Sequence, residues 1–442
     1  MPNSKKKELP ETAIKTLGPA KIDSPFLHRS DYLAFTQFVD DRTRVLVDIT
    51  WEDGRPRNEG LKFEFAGPRK KIYFDPSKLK CAIVCCGGLC PGINSVVRAI
   101  VLELYHIYGV RNIIGVKFGF QGFIPGYGHD VVELNPEVVQ NIHGRGGCFL
   151  GMSRGHQDIG EIVDALERLN VGLLFVIGGD GTLHAADLIT EETARRGLKT
   201  GVVGVPKTID NDIAYVDTTF GFMTAVETAS RTVLSAHNEA ISAPNGVGLV
   251  KVMGRHSGFV AAFTSLALRD VNFTLIPEVD FDLEGENGLL AALEKRLKQR
   301  GHAVVLVAEG AGQKLCATGE LACDASGNVK FADVGVFLRD RIKDYFDQKK
   351  MEVNLKYIDP SYEIRSVPAS ANDRIYCGFL GQQAVHAGMA GKTGLVVSMI
   401  NNRYVHVPMK MAVSFRKQVS PKGRLWLSVL ESTGQPHLKN GG

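Results

Sequence analysis

The chain has 442 residues, 48 of them glycine, and sets 52 Lys and Arg against 48 Asp and Glu for a formal net charge of +4. That length exceeds one ordinary core and predicts two or three domains. The near balance of charge gives no argument for nucleic acid or an acidic membrane surface as a partner, and eight cysteines in so long a chain are not a disulfide scaffold.

Residues 1–78 are polar and proline-broken, with short strand-like runs at 44–51 and 61–65. They read as an N-terminal extension or small flanking domain, disordered by composition only over the first ~20 residues. Lys5 to Glu8 and Pro10 do not make a signal peptide, and no run is long and apolar enough to span a bilayer. Cys81, Cys85, Cys86 and Cys90 fall in or beside an apolar run, without a C-x-x-C pair or a matching histidine. Buried free thiols in a reducing cytoplasm are expected there, not a metal cluster.

From Lys80 a regular alternation begins. Strands are predicted at 81–86, 112–116, 172–177 and 201–205, and helices at 92–108, 159–169 and 182–196, the last capped by Thr182. The pattern restarts with a long helix over 218–241. Strands at 248–252, 273–276 and 303–307 follow, with helices at 257–268, 289–300 and 334–346. Residues 371–390 and 394–399 suit either unit. Strands alternating with helices imply a mostly parallel sheet covered on both faces. The expected fold class is therefore α/β: two doubly wound, mostly parallel domains with an active-site cleft between them, plus the N-terminal extension. The expected spans are 1–78, 79–213 (with about 367–399 a candidate to complete it), 214–366, and a C-terminal segment 400–442.

Several blocks sit just past predicted strands, where open α/β sheets place ligands. Gly87-Gly88-Leu89-Cys90-Pro91-Gly92 opens a helix, so its backbone can approach a phosphate; a plain tight turn explains it equally well. It is neither a Walker A loop nor G-x-G-x-x-G. Arg154, between Ser153 and Gly155, can neutralise a transferring phosphoryl group, although alone it reads as a surface arginine. Gly178-Gly179-Asp180-Gly181-Thr182 is stronger. A carboxylate flanked by glycines can meet Mg2+ and polyphosphate oxygens without a side-chain clash. Pro206-Lys207-Thr208-Ile209-Asp210-Asn211-Asp212 offers two carboxylates that share one side if the segment is extended, one of them a base for an attacking hydroxyl. An Asx-rich turn explains the same residues. Met253-Gly254-Arg255 suits an anion, Glu309 suits sugar hydroxyls, and Tyr362 to Arg365 adds an arginine near a proline-bounded turn.

In this order and combination the motifs resemble the 6-phosphofructokinases over residues 79–399. GGDGT also occurs in the related NAD and lipid kinases, whereas TIDND followed by MGR does not. The resemblance implies Mg2+-dependent phosphorylation of fructose 6-phosphate by ATP, the committed step of glycolysis, in an allosteric cytoplasmic homo-oligomer (dimer or tetramer) that binds neither nucleic acid nor membrane. It makes 79–213 the nucleotide domain and 214–366 the sugar-phosphate domain. It implies that Gly88, Arg154, Gly155, Gly179, Asp180, Gly181 and Thr182 line the nucleotide site and that Asp180 engages Mg2+. Asp210 becomes the base, assisted by Arg154. Thr208, Ile209, Met253, Gly254, Arg255, Glu309, Tyr362 and Arg365 join Asp210 in binding fructose 6-phosphate. The family contains ATP and pyrophosphate users. Gly181 stands where pyrophosphate users typically have Asp, which points to ATP; Lys207 is a residue they typically share. This mixture resembles a long-chain ATP-dependent branch. Gly246 stands where many short bacterial relatives have an arginine reaching a neighbouring subunit's sugar phosphate, and Lys356 is a candidate to supply charge there instead. The alternatives are a pyrophosphate-dependent fructose 6-phosphate 1-phosphotransferase and a catalytically silent nucleotide-binding regulatory subunit.

Overall fold

The computed structural model describes residues 10–29, 36–52, 55–56, 60–316 and 331–441. The charged run Lys5 to Glu8 lies outside the described residues. The chain divides into two compact units. The first comprises residues 1–207, 213–220 and 374–415; the second comprises 208–212, 221–373 and 416–442.

In chain order, the first unit contributes β1 (Arg44–Leu46), an edge strand, and β2 (Lys62–Phe65) beside it. β3 (Lys80–Cys85) follows, buried at every position but Lys80, as expected of a strand covered on both faces. α1 (Ile93–Leu102) buries Ile93, Val96, Val97 and Ile100 at helical spacing and continues into a π-type segment, Glu103–Tyr108, that Gly109 ends in the left-handed region. β4 (Asn112–Val116) and β5 (Val131–Glu133) come next, then α2 (Ile159–Arg168), whose Asp158 caps it by accepting from the Glu161 N–H at 2.9 Å. β6 (Leu173–Gly178), α3 (Asp180–Arg195) and β7 (Gly201–Pro206) complete this pass.

The second unit runs through α4 (Phe222–Ile241), β8 (Gly246–Val252), α5 (Phe259–Leu268), β9 (Phe273–Leu275), α6 (Leu289–Arg300), β10 (His302–Ala308), α7 (Val334–Gln348), β11 (Asn354–Ile358) and the short α8 (Ser361–Ser366). α9 (Ala371–Met389) carries the chain back to the first unit, which gains β12 (Leu395–Ile400) and β13 (Arg403–Pro408). α10 (Arg424–Thr433) ends the second unit.

The first unit's nine-stranded sheet has the order β5-β4-β3-β6-β7-β12-β13-β2-β1. Its five central strands are parallel and both flanks are antiparallel. From β3 the chain moves outward to β4, then returns to β6 on the other side, so the topological switch point lies between β3 and β6. The second unit's sheet, β9-β10-β8-β11, is wholly parallel; β9 and β10 lie on one side of β8 and β11 on the other, which puts its switch point beside β8. The first core gathers residues such as Val84, Phe123, Val176 and Leu183; the second gathers Val247, Leu293, Val305 and Phe346.

Gly246 begins β8, where a Cβ would collide with the Ala240 carbonyl of α4. No larger side chain fits, so an arginine at this position would require α4 to move. Lys356 is exposed on β11, which forms the edge of its sheet.

Candidate active site

In the first unit the candidate residues gather at the carboxyl ends of β3, β6 and β7. Gly87, in the left-handed region at φ 91°, turns the chain out of β3, and its N–H donates to the Ser153 carbonyl at 3.1 Å. That bond brings the loop carrying Arg154 alongside. A Cβ on Gly88 would lie 3.1 Å from the Arg154 guanidinium, so the glycine leaves the exposed arginine its place. Lys207, at the end of β7, is buried; its Nζ donates to the Gly88 carbonyl at 2.8 Å, and its backbone N–H to the Gly178 carbonyl at 2.9 Å. Burial lowers its ammonium below the ordinary lysine range, against the opposing influence of Cys90, Cys86, Cys85 and Cys148.

GGDGT differs in detail from expectation. α3 begins at Asp180, with Gly179 as its cap residue and no side-chain cap, so Thr182 stands inside the first turn. Its side chain packs where a Cβ on Gly178 would otherwise be. A Cβ on Gly179 would lie 3.2 Å from the Lys207 carbonyl, whereas one on Gly181 would meet open space. The result is a helix N-terminus with one carboxylate, two close glycine backbones and room beside Gly181, an anion-binding arrangement. Gly155 adopts φ 98° directly after Arg154. Among the described residues no three His, Cys, Asp or Glu side chains converge into a metal cage. A single carboxylate still suits Mg2+, which takes one or two carboxylates together with phosphate oxygens and water.

In the second unit, the segment beginning at Thr208 is not extended. Asn211 is left-handed at φ 55°, so Asp210 and Asp212 do not share one side in the way an extended strand would place them. The Asp210 N–H donates to Thr208 Oγ1 at 3.1 Å, and Ser257 Oγ donates to the Asp210 carbonyl at 3.2 Å. Asp210 Oδ1 is buried without a hydrogen-bond partner among the described residues. Burial lifts this carboxyl well above the usual carboxylate range; Asp212 and Glu309 push it the same way, and the Arg255 backbone and guanidinium oppose them.

Met253, Gly254 and Arg255 leave the carboxyl end of β8. Gly254 at φ 125° lets the Gly310 N–H donate to its carbonyl at 3.0 Å, while the Glu309 N–H donates to the Val252 carbonyl at 2.9 Å. Arg255 and Glu309 thus end neighbouring strands. The Arg255 guanidinium also lies over the Phe331 ring at 5.1 Å. Burial raises the Glu309 carboxyl, while Arg255, Lys251 and Arg365 draw it back. Tyr362 and Arg365 sit on α8, which begins directly after Pro360; Tyr362 is 76% exposed, and the Arg365 guanidinium lies 4.6 Å from its ring centroid. Ile209 is buried.

Other residues in these sites escaped sequence reasoning. The Lys417 N–H donates to the Asp212 carbonyl at 2.7 Å and its Nζ to Asn211 Oδ1 at 3.2 Å, so a segment some two hundred residues away straps the Asp210 loop. Lys251, inside β8, pairs with Asp333 at 3.0 Å and Asp359 at 2.9 Å. No local motif marks either lysine.

A model of the phosphofructokinase family matches residues 80–388. The chain is 51% identical over 435 residues to an ATP-dependent 6-phosphofructokinase of Borreliella burgdorferi, covering 97% of both. It is 46% identical over 439 residues to an ATP-dependent 6-phosphofructokinase of Amycolatopsis methanolica, covering 97% of this chain and 95% of that one. The fold is similar to a solved pyrophosphate-dependent phosphofructokinase of Marinobacter aquaeolei, with a TM-score of 0.65 at 18% identity over 82% of this chain and 93% of that one.

Proposed function

The chain belongs to the phosphofructokinase family, and on that premise we propose that it transfers the γ-phosphoryl group of ATP to the 1-hydroxyl of fructose 6-phosphate, giving fructose 1,6-bisphosphate and ADP at the committed step of glycolysis. The observation that carries this reading is Asp210, whose buried Oδ1 has no partner among the described residues and whose neighbours include Arg255 and Glu309. A base awaiting a substrate hydroxyl has this description.

In this reading Asp210 takes the proton of the sugar 1-hydroxyl as that oxygen attacks phosphorus. Arg255 and Arg365 hold the sugar phosphate, and Glu309 accepts from sugar hydroxyls, with Thr208, Ile209, Met253, Gly254 and Tyr362 lining the same site. Gly88, Gly155, Gly179, Gly181 and Thr182 admit the nucleotide phosphates. Arg154 neutralises charge on the transferring group. Asp180 would hold Mg2+, which supplies charge neutralisation on the phosphate oxygens when bound. The enzyme is read as a cytoplasmic homo-oligomer.

The choice of ATP rests on Gly181, where an added side chain would meet open space. Lys207, the residue shared with pyrophosphate users, has its ammonium on the Gly88 carbonyl. The Borreliella and Amycolatopsis relatives, at 51% and 46% identity, are named ATP-dependent, which supports this choice. The test is initial-rate turnover of fructose 6-phosphate with Mg2+, with ATP and pyrophosphate supplied in parallel. Turnover with ATP alone is expected. Turnover with pyrophosphate alone would transfer the reading to the pyrophosphate-dependent enzyme. Inactivity with both donors would favour a silent regulatory subunit.

A further inference from the structure

Lys251 is the penultimate residue of β8, an inner strand of a parallel sheet, in register with Val307 of β10, and its side chain is 11% exposed. A lysine so placed is costly unless its ammonium is fully paired. Its Nζ lies 3.0 Å from Asp333 Oδ2 and 2.9 Å from Asp359 Oδ2, and the two carboxylates hold it positive above the ordinary lysine range.

Each aspartate uses its second oxygen beside a helix entrance, Asp333 as a cap and Asp359 one residue before the cap position. Asp333 Oδ1 accepts from the Gly335 and Val336 N–H groups, both at 3.1 Å, and caps α7. Asp359 Oδ1 accepts from the Ser361 N–H at 3.1 Å and from its hydroxyl, at the entrance to α8. α8 has six residues and buries only Ile364. A helix this short does not hold itself together in water; its anchors place it. It carries Tyr362 and Arg365, and Glu309 feels the charges of Lys251, Asp359 and Arg365 together.

We propose that Lys251 is a positioning residue for fructose 6-phosphate: by clamping Asp359 and Asp333 it sets the place of α8, and with it the place of Arg365 and Tyr362 against the sugar phosphate. The inference rests on the proposed function and adds a residue that touches no substrate. Replacing Lys251 with an uncharged side chain leaves two carboxylates facing each other without a cation. Their repulsion releases the α8 entrance, while the nucleotide-binding residues of the first unit keep their own supports.

The test uses the full chain as Lys251→Met and Lys251→Arg. Both KM values and kcat are read from initial rates, and the fructose 6-phosphate Kd from calorimetry without nucleotide. Lys251→Met should raise both the KM and the Kd for fructose 6-phosphate at least ~10-fold, with the ATP KM unchanged and kcat within about threefold, and Lys251→Arg should recover most of the loss. A folded Lys251→Met enzyme with native fructose 6-phosphate Kd and KM overturns the proposal. So does a loss confined to kcat, or one that raises the ATP KM equally. If Lys251→Met does not fold, Asp359→Asn decides, because it keeps an acceptor for Ser361 and the Lys251–Asp333 pair while removing the charge toward α8. The same rise in fructose 6-phosphate KM is expected, and a native value overturns the proposal. Native protein run alongside separates the two readings. If it fails to turn over fructose 6-phosphate, the proposed function falls and this inference with it; if it is active and the variants match it, only the inference falls.

Discussion

Asp210 is costly to bury as an anion, and that same burial tunes it as a base. Its carboxyl is raised by desolvation, then by Asp212 and Glu309. Asp210→Asn keeps the shape and removes the proton acceptor, so kcat should fall by about 10²–10⁴-fold while calorimetry still finds native ATP affinity. The active form is the deprotonated one. The kcat/KM profile of the native enzyme should therefore fall on acidification, with its inflection above the usual carboxylate range. The linkage runs the other way for stability: an acid whose folded-state pKa is raised contributes stability below its unfolded pKa and loses it as pH rises through the folded value. Asp210→Asn should accordingly have the higher Tm at neutral pH, with the gap closing near pH ~4; a lower Tm at neutral pH would contradict the assignment. Gly181 supplies a second test at this scale. Gly181→Asp places a negative charge in open space beside the proposed phosphates, where like-charge juxtaposition costs several kcal/mol. The kcat/KM for ATP should drop at least ~10-fold, while fructose 6-phosphate affinity, measured without nucleotide, stays put.

Among the elements, β2 shows how the N-terminal stretch is tied into the first unit. Glu64 faces His406 of β13 directly in the antiparallel register. Its Oε1 accepts from Arg69 Nη2 at 2.9 Å and Lys392 Nζ at 2.8 Å, and lies 2.9 Å from His406 Nδ1. All four side chains are buried, and His406 and Lys392 hold the Glu64 carboxyl down at about 2 despite desolvation. Among the described residues, removing the shared acceptor leaves Arg69 and Lys392 only Asp41 as a carboxylate partner, at 2.8 and 2.9 Å, so Glu64→Ala should destabilise in denaturant unfolding by less than the ~3–5 kcal/mol of a fully stranded buried charge. Because the folded pKa is depressed, the stability Glu64 contributes is present above the ordinary glutamate range and is lost as pH falls toward about 2. Glu64→Gln should flatten the fall of Tm with acid relative to the native chain.

Secondary structure was legible to the degree that burial was uniform. β3, β6 and β7 are apolar runs buried almost throughout, and the sequence marks them within a residue or so. β11 and β13 were missed because their half-exposed, mixed side chains carry no clear period. The six residues of α8 are too few to show a helical pattern in the sequence.

At the scale of the whole molecule, the two units are not consecutive stretches of chain. The path crosses between them at 207–208, 212–213, 220–221, 373–374 and 415–416. The central sheet of the first unit takes β12 from residues 395–400, in parallel register with β7, and β13 beyond it. A fragment ending at residue 220 lacks both strands and leaves β7 as a hydrophobic edge. Expressed alone, it should show aggregation and no cooperative thermal transition; co-expression with residues 374–415 should restore part of the fold. A cooperative, monomeric fragment would show that β12 and β13 are dispensable.

By itself the sequence determined the α/β class, the strand–turn–helix positions of GGDGT, TIDND and MGR, and through them the family. Those features are local: a buried strand, a glycine turn and a helix start are written in adjacent residues. Tertiary structure alone decided that Lys207 is held by Gly88, that Lys417 straps the Asp210 loop, that Asp210 and Asp212 do not line up, and that Lys251 joins Asp333 to Asp359. The lysines meet partners 82 to 206 residues away (Asp333 less Lys251, and Lys417 less Asn211). Periodicity says which face of an element is buried, whereas only the strand order says what that face meets.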